Sequence, residues 1–202
     1  MRTLARKLLP RTRAIEGQPP GDQELVARIR AGDSDAFSLL VEKHWERLYR
    51  LALGIIDDSH LSEDVVQEVF VLVYRKLGSF DGRSALLTWM YRIAVNAALK
   101  ARRRARRQAL CPLSARFDRA GAGPQVGRER EMRELAAKLL RCLPRKLRTV
   151  VVLREWQGLG YEEIGRVLGC SRGAVEQRLH RAMVELRRIW GPVAREEWFH
   201  GL

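Results

Sequence analysis

Residues 161–181 read Tyr161-Glu162-Glu163-Ile164-Gly165-Arg166-Val167-Leu168-Gly169-Cys170-Ser171-Arg172-Gly173-Ala174-Val175-Glu176-Gln177-Arg178-Leu179-His180-Arg181. Ile164, Val167 and Leu168 form one apolar helical stripe, and Gly169 supplies the left-handed residue that ends that helix. Ser171 is placed to cap a second helix, in which Val175, Leu179, Ala182, Met183 and Leu186 recur at helical spacing. The opposite face carries Arg172, Glu176, Gln177, His180 and Arg181, side chains that reach base edges and phosphates in a major groove. The stretch reads as a helix-turn-helix. Taken alone, the same pattern also describes a helical hairpin whose charged face meets only water.

Upstream of that motif the chain stays helical. Asp22 is placed to cap a short helix bearing Leu25, Val26 and Ile29, closed by Gly32. Asp33 caps the next, whose stripe runs Phe37, Leu40, Val41, His44, Leu48, Leu51 and Ile55. After the break at Asp57-Asp58-Ser59, Ser62 opens a third helix with Val65, Val66, Val69, Phe70 and Val73 facing inward. A fourth begins near Ser84, carries Leu86, Met90, Ile93, Ala94 and Ala97, and runs into a cluster of basic residues. No β-alternation is sustained. The expected fold class is all-α, in two small helical domains joined by a flexible linker. The expected boundaries are a mobile basic arm over 1–21, a first domain over 22–110, a linker over 111–128, a second domain over 129–190 and a tail over 191–202. Pro112, Gly121, Gly123, Pro124 and Gly127 punctuate the linker, and Pro144 separates the first two helices of the second domain.

Composition narrows the partners. The 202 residues hold 38 Lys and Arg against 24 Asp and Glu, a net charge of +14. That suits a nucleic-acid binder, although membranes and acidic proteins attract such a chain too. The longest apolar runs, such as Val150-Val151-Val152-Leu153, are far short of a membrane span, and Met1–Pro20 lacks a signal-peptide core. Cys111, Cys142 and Cys170 are widely spaced without CxxC or CxxH patterns, so neither a disulfide framework nor a zinc site follows. His44, His60, His180 and His200 are scattered, and no P-loop, GxSxG or HExxH run is present. No catalytic residue, metal or cofactor is expected.

Two further constellations carry function. Asp64, Gln67 and Glu68 stand at i, i+3 and i+4, opposite the valine stripe, where an acidic and amide face docks a basic partner or is merely solvated. Phe80-Asp81-Gly82-Arg83-Ser84 leads into Trp89, Tyr91, Arg92 and Asn96, beside six basic residues between Lys100 and Arg107. Aromatic faces stack unpaired bases and cations neutralise the backbone, so this segment suits single-stranded DNA. Trp89 and Tyr91 also fit a half-buried structural role.

In order and wording these pieces resemble the extracytoplasmic-function class of bacterial sigma factors, the small two-domain specificity subunits of RNA polymerase. The first domain is similar in Leu25-Val26, Gly32-Asp33, Ala36-Phe37, Glu63-Asp64-Val65-Val66-Gln67-Glu68-Val69-Phe70, the loop Ser79–Ser84 and the run Thr88–Asn96. The second is similar in Leu143-Pro144, Leu153-Arg154-Glu155, Gly158-Leu159 and the opening stretch. The resemblance implies that Asp64, Gln67 and Glu68 dock on core RNA polymerase. It implies that Ser79, Phe80, Asp81, Gly82 and Arg83 capture a base flipped from the −10 element. Trp89, Arg92, Asn96, Lys100 and Arg103 are expected to read and neutralise the same melted strand. Arg172, Gly173, Glu176, Gln177, His180 and Arg181 are the expected readers of the −35 element, with Ser171 and Arg178 near phosphate. The implied partners are core RNA polymerase, promoter DNA and an anti-sigma protein, in the cytoplasm, with no membrane insertion. A stand-alone helix-turn-helix regulator explains residues 143–190 equally well but leaves the first domain without a role.

The chain departs from the family wording at the last helix, where Glu176 and Gln177 replace a basic residue and Ser. Glu176 repels phosphate but accepts from a cytosine amino group, and Gln177 pairs with adenine, each worth about 1–3 kcal/mol of discrimination. Gly160 and Gly165 stand in place of a hydroxyl cap and an Ala, which predicts a soft first helix in the motif. Glu176→Arg should therefore change the −35 sequence selected from randomised promoters; an unchanged selection contradicts this reading.

Overall fold

The computed structural model describes residues 20–109 and 138–190, and every regular element among them is helical. The expected arm, linker and tail, and the start of the second domain, lie outside the described residues. The elements are α1 (Asp22–Arg30), α2 (Ser34–Ile56), α3 (Ser59–Lys76), a short 3-10 turn (Leu77–Ser79) and α4 (Leu86–Ala109). After helical residues 138–142 come α5 (Arg145–Val151), running into a π-helical turn (Val152–Trp156), then α6 (Tyr161–Leu168) and α7 (Arg172–Trp190).

Each helix of the first bundle buries one stripe. Leu40, Leu48, Leu51 and Ile55 of α2 meet Val65, Val66, Val69 and Val73 of α3, and Met90 and Ala94 of α4 close the layer. Asp33 caps α2 as expected, accepting from the amides of Asp35 and Ala36 at 2.9 and 3.1 Å. The next two caps differ from expectation. α3 starts at Ser59, capped by Asp58, which accepts from the Leu61 amide at 2.8 Å. Ser62 lies one turn inside, fully buried, its hydroxyl donating back to the Asp58 carbonyl.

Asp22 also does something other than capping. Gly21 holds the N-cap position of α1, and the Asp22 carboxylate bonds to Lys43 and His44 of α2 at 2.8 and 3.0 Å. His44 is buried, so desolvation holds its imidazole below the ordinary value against the opposing pull of Asp22. Burial raises Asp22, but the bonds from Lys43 and His44 outweigh it and keep the carboxyl below the usual range.

The second bundle is not held at a distance from the first. Trp156 and Val152 of the π-turn press on α2 at Gly54, where a Cβ would lie 2.8 Å from the indole and 2.9 Å from the valine methyls. Only a residue without a side chain admits that approach. The Tyr91 hydroxyl of α4 donates to Gln157 Oε1 at 2.8 Å. Around the C-terminus of α2, Arg102 donates to the Ile55 carbonyl at 2.8 Å and Arg141 pairs with Asp57 at 3.1 Å. Arg145 donates to the Leu99 carbonyl at 3.3 Å. Among the described residues the two bundles meet along a packed seam.

Two expectations follow. Gly54→Leu places a branched chain where Trp156 sits, so the bundles should part without unfolding, seen as a larger radius of gyration in small-angle scattering. An unchanged radius with Trp156 still covered contradicts the fit. For His44, the unfolded chain takes up a proton at a higher pH than the folded one. Its contribution is therefore complete above about pH 6.5 and is lost as the pH falls through the lower folded value. His44→Gln should flatten the loss of urea stability between about pH 7 and 5; a slope equal to wild type contradicts it.

Candidate nucleic-acid interface

The helix-turn-helix folds as its wording requires. Gly169 ends α6 in the left-handed region at φ 63°. Ser171 caps α7 by accepting from the Ala174 amide at 3.3 Å. Val175, Leu179 and Ala182 of α7 are buried with Ile164 and Val167 of α6, which turns the opposite face of α7 outward. Arg172, Gly173, Glu176, Gln177, His180 and Arg181 are all exposed there, within one continuous helix face. Arg178 is half-buried, its guanidinium donating to the Cys170 sulfur at 3.4 Å, so part of its reach is spent on the turn.

Both glycines at α6, Gly160 before it and Gly165 within it, sit in close contacts. The Gly160 amide donates to Glu163 Oε2 at 2.9 Å, which satisfies one free N–H of the helix start without a side-chain cap. A Cβ on Gly165 would stand 2.7 Å from the Cys170 carbonyl, so this glycine lets the turn close tightly on α6.

On α4, Trp89, Arg92, Asn96, Lys100 and Arg103 recur at i, i+3, i+7, i+11 and i+14 and so form one stripe about 21 Å long. Arg92, Asn96, Lys100 and Arg103 are exposed, and Trp89 is half-buried against Phe80, ring centroids 5.3 Å apart. The loop before α4 is held at both ends. Ser79 donates to the Lys76 carbonyl at 2.8 Å, and Asp81 accepts from the Arg83 amide at 3.1 Å while pairing with its guanidinium at 3.2 Å. Gly82 takes φ 73°, and Arg30 of α1 donates to the carbonyls of Leu77 and Phe80. Arg30 was not singled out by its surroundings in sequence, because its acceptors lie 47 and 50 residues away.

Two residues of the aromatic and basic run face elsewhere. Tyr91 is buried in the seam, which pushes its phenol up to about 12 and removes it from any base-stacking surface. Arg102 is half-buried and spends a guanidinium N–H on the end of α2. The remaining cations of the cluster, Lys100, Arg103, Arg104, Arg106 and Arg107, stay exposed.

The third surface lies on α3. Asp64, Gln67 and Glu68 are exposed, opposite Val65, Val66, Val69 and Val73. Val71 and Tyr74, 50% and 61% exposed, continue that outward face and give it an apolar end. Their spacing from Asp64, at i+7 and i+10, was the available signal; apolar type had assigned them no outward role. Among the described residues no group of three or more His, Cys, Asp or Glu could hold a metal ion, and no helix is long and apolar enough to cross a membrane.

Comparison with known proteins agrees with this arrangement. Sigma-70 region 2 matches residues 40–108 and Sigma-70 region 4 matches residues 133–186. The chain is 37% identical over 188 residues to the RNA polymerase sigma-H factor of Pseudomonas aeruginosa, covering 87% of this chain and 96% of that one. It is 36% identical over 172 residues to the ECF RNA polymerase sigma-E factor of Escherichia coli K12, covering 80% and 90%. Among solved structures, CnrH in complex with the cytosolic domain of CnrY superposes with a TM-score of 0.63 at 29% identity, over 84% of this chain and 96% of that one. The sigma factor RpoE of Bartonella quintana, solved with the anti-sigma factor NepR, shares the fold at a TM-score of 0.62 and 21% identity, over 76% and 96%. With both regions matched in order across more than half its length, the chain belongs to the sigma-70 family of RNA polymerase sigma factors, in its extracytoplasmic-function class.

Proposed function

We infer that this sigma factor, which directs RNA polymerase to promoters, divides that work among three faces. The outward face of α3, with Asp64, Gln67 and Glu68 and the apolar end at Val71 and Tyr74, docks on core polymerase. The loop Ser79–Arg83 and the α4 stripe of Trp89, Arg92, Asn96, Lys100 and Arg103 capture the melted −10 strand. The outward face of α7 reads the −35 element in duplex form. Residues 22–110 thus act as the region 2 unit and 129–190 as the region 4 unit, with 111–128 as the connection. The polymerase supplies the chemistry, inside the cell; this chain supplies sequence reading and strand capture without a catalytic group or cofactor of its own.

The observation that carries this division is the α4 stripe. Asn96 and the cations share one exposed line that begins at the half-buried Trp89, so stacking, base-edge pairing and backbone neutralisation act along a single strand. A stand-alone duplex regulator needs the α7 face alone and gives the α3 and α4 faces nothing to do. The seam adds a geometric requirement. Elements about 25 base pairs apart lie roughly 85 Å apart along a straight duplex at about 3.4 Å per base pair. Bundles that touch through Tyr91 and Gln157 cannot span that length, so the seam must open when both elements are bound. CnrH, solved with the cytosolic domain of CnrY, and RpoE, solved with the anti-sigma factor NepR, support an anti-sigma protein as the third partner of the free factor.

Two variants separate the faces. Asp64→Lys with Glu68→Lys should weaken binding to purified core polymerase at least tenfold at low salt, measured by fluorescence titration, with the defect shrinking as salt rises. Asn96→Ala should leave core affinity unchanged and reduce opening of a promoter carrying 2-aminopurine in the −10 element. Normal core affinity in the first, or normal opening in the second, contradicts the assignment of that face.

A further inference from the structure

At the start of α7, Arg172 is held from three directions before any DNA is present. Its Nε donates to Glu176 Oε1 at 2.9 Å, one turn along the same helix. Its Nη1 lies 4.0 Å from Glu162 Oε1 of α6. Its guanidinium stands 6.0 Å from the centre of the Tyr161 ring. That ring also meets Arg154 at 5.1 Å, and Arg154 is itself anchored by a 3.0 Å bond to the Leu159 carbonyl. Exposed ion pairs alone add little stability. Here they restrict the orientation of a long side chain, which lowers the ordering cost when that side chain binds.

Charge then decides what the fork prefers. Arg172 lies between two carboxylates, and with Arg154 across the same ring the four charges cancel, so the fork is not a bare cation and its pull on a phosphate is weakened. A guanine edge carries no net charge and offers O6 and N7 as paired acceptors. The Nε proton is engaged by Glu176, and the 4.0 Å separation from Glu162 leaves the terminal amino groups free to donate side by side. The second Glu176 oxygen remains an acceptor suited to a cytosine amino group. Next to the pair, a Cβ on Gly173 would meet nothing within 4 Å, so no side chain stands between the helix and the groove floor.

We propose that Arg172 and Glu176 read a guanine and an adjacent cytosine of the −35 element as one coupled unit, with Glu162 and Tyr161 as positioning residues that hold the guanidinium in its reading orientation. This rests on the −35 role assigned to α7 and names what that face selects. Arg172 takes the guanine edge through its terminal amino groups, and Glu176 both fixes that fork and accepts from cytosine.

The test is transcription by core polymerase loaded with the full chain, from promoters randomised only in the −35 element, with initiated templates sequenced. Wild type should enrich adjacent G and C. Arg172→Lys, which keeps the charge but loses the fork, should lose roughly 10- to 100-fold of the guanine preference. Glu176→Ala should lose the cytosine preference and part of the guanine preference. The double variant should be no worse than Arg172→Ala, because the two act together. Glu162→Gln should broaden the guanine position with an unchanged salt slope, and Glu162→Asp should restore it. If Arg172→Ala instead weakens all templates equally and lowers the salt slope by about one, Arg172 holds a phosphate and the proposal is overturned. If wild type initiates with no −35 preference, the −35 role of α7 fails, and the proposal with it.

Discussion

The burial of one apolar stripe per helix in the α2–α3–α4 layer is the interaction on which the rest of the molecule depends. Each buried Leu, Val or Met contributes about 1.5–3 kcal/mol by leaving water, far more than any surface ion pair in the chain. Because Val65, Val66, Val69 and Val73 must face the layer, Asp64, Gln67 and Glu68 must face out. Met90, Ala94 and Ala97 bind α4 to the same layer in the same way, and the stripe from Trp89 to Arg103 is what remains on its outer side. The working surfaces are set by what the core takes away.

The seam between the bundles is a balance of a different kind. Trp156 and Val152 gain by filling the gap at Gly54, and Arg145 donates across the seam to the Leu99 carbonyl of α4. Against this, Arg102, Arg141 and Arg148 crowd around a single carboxylate, Asp57. Arg148 is buried, and desolvation followed by its arginine neighbours brings its guanidinium down to about 10. It stays charged at neutral pH, so the crowding opposes the closed arrangement throughout the physiological range. Its Nε finds no partner among the described residues, while Nη2 donates to the Arg141 carbonyl. A contact favoured by packing and opposed by charge is one that binding can open, and a chain that must reach two distant DNA elements needs such a contact.

Much of this was legible in the residues. Helical periodicity located the stripes of α2, α3, α4 and α7, because their burial is decided within each helix. Asp33, Gly169 and Ser171 were readable as helix ends, since a cap needs only its own next few residues. The misreadings share a cause. Asp22 resembles a cap but bonds to His44, and Ser62 resembles a helix start but lies one turn inside, behind Asp58. In both places two local solutions were chemically equivalent and the packing chose. Gly54, Arg30 and the Glu162–Arg172 approach were invisible for a stronger reason: their partners lie on other elements, and nothing in their own neighbourhood points there. Gly165 carries a second role that its helix position did not announce: its lack of a side chain lets the turn close.

A single chain that reads both elements makes polymerase start at a two-part promoter. This is tested most directly by run-off transcription with purified core RNA polymerase and the full chain, on templates randomised at both elements. The expected result is initiation that requires this chain and enriches two separated sequence blocks at a fixed spacing. Tight binding of the chain to duplex DNA without core, together with no initiation when core is added, would contradict it and leave a stand-alone regulator in its place.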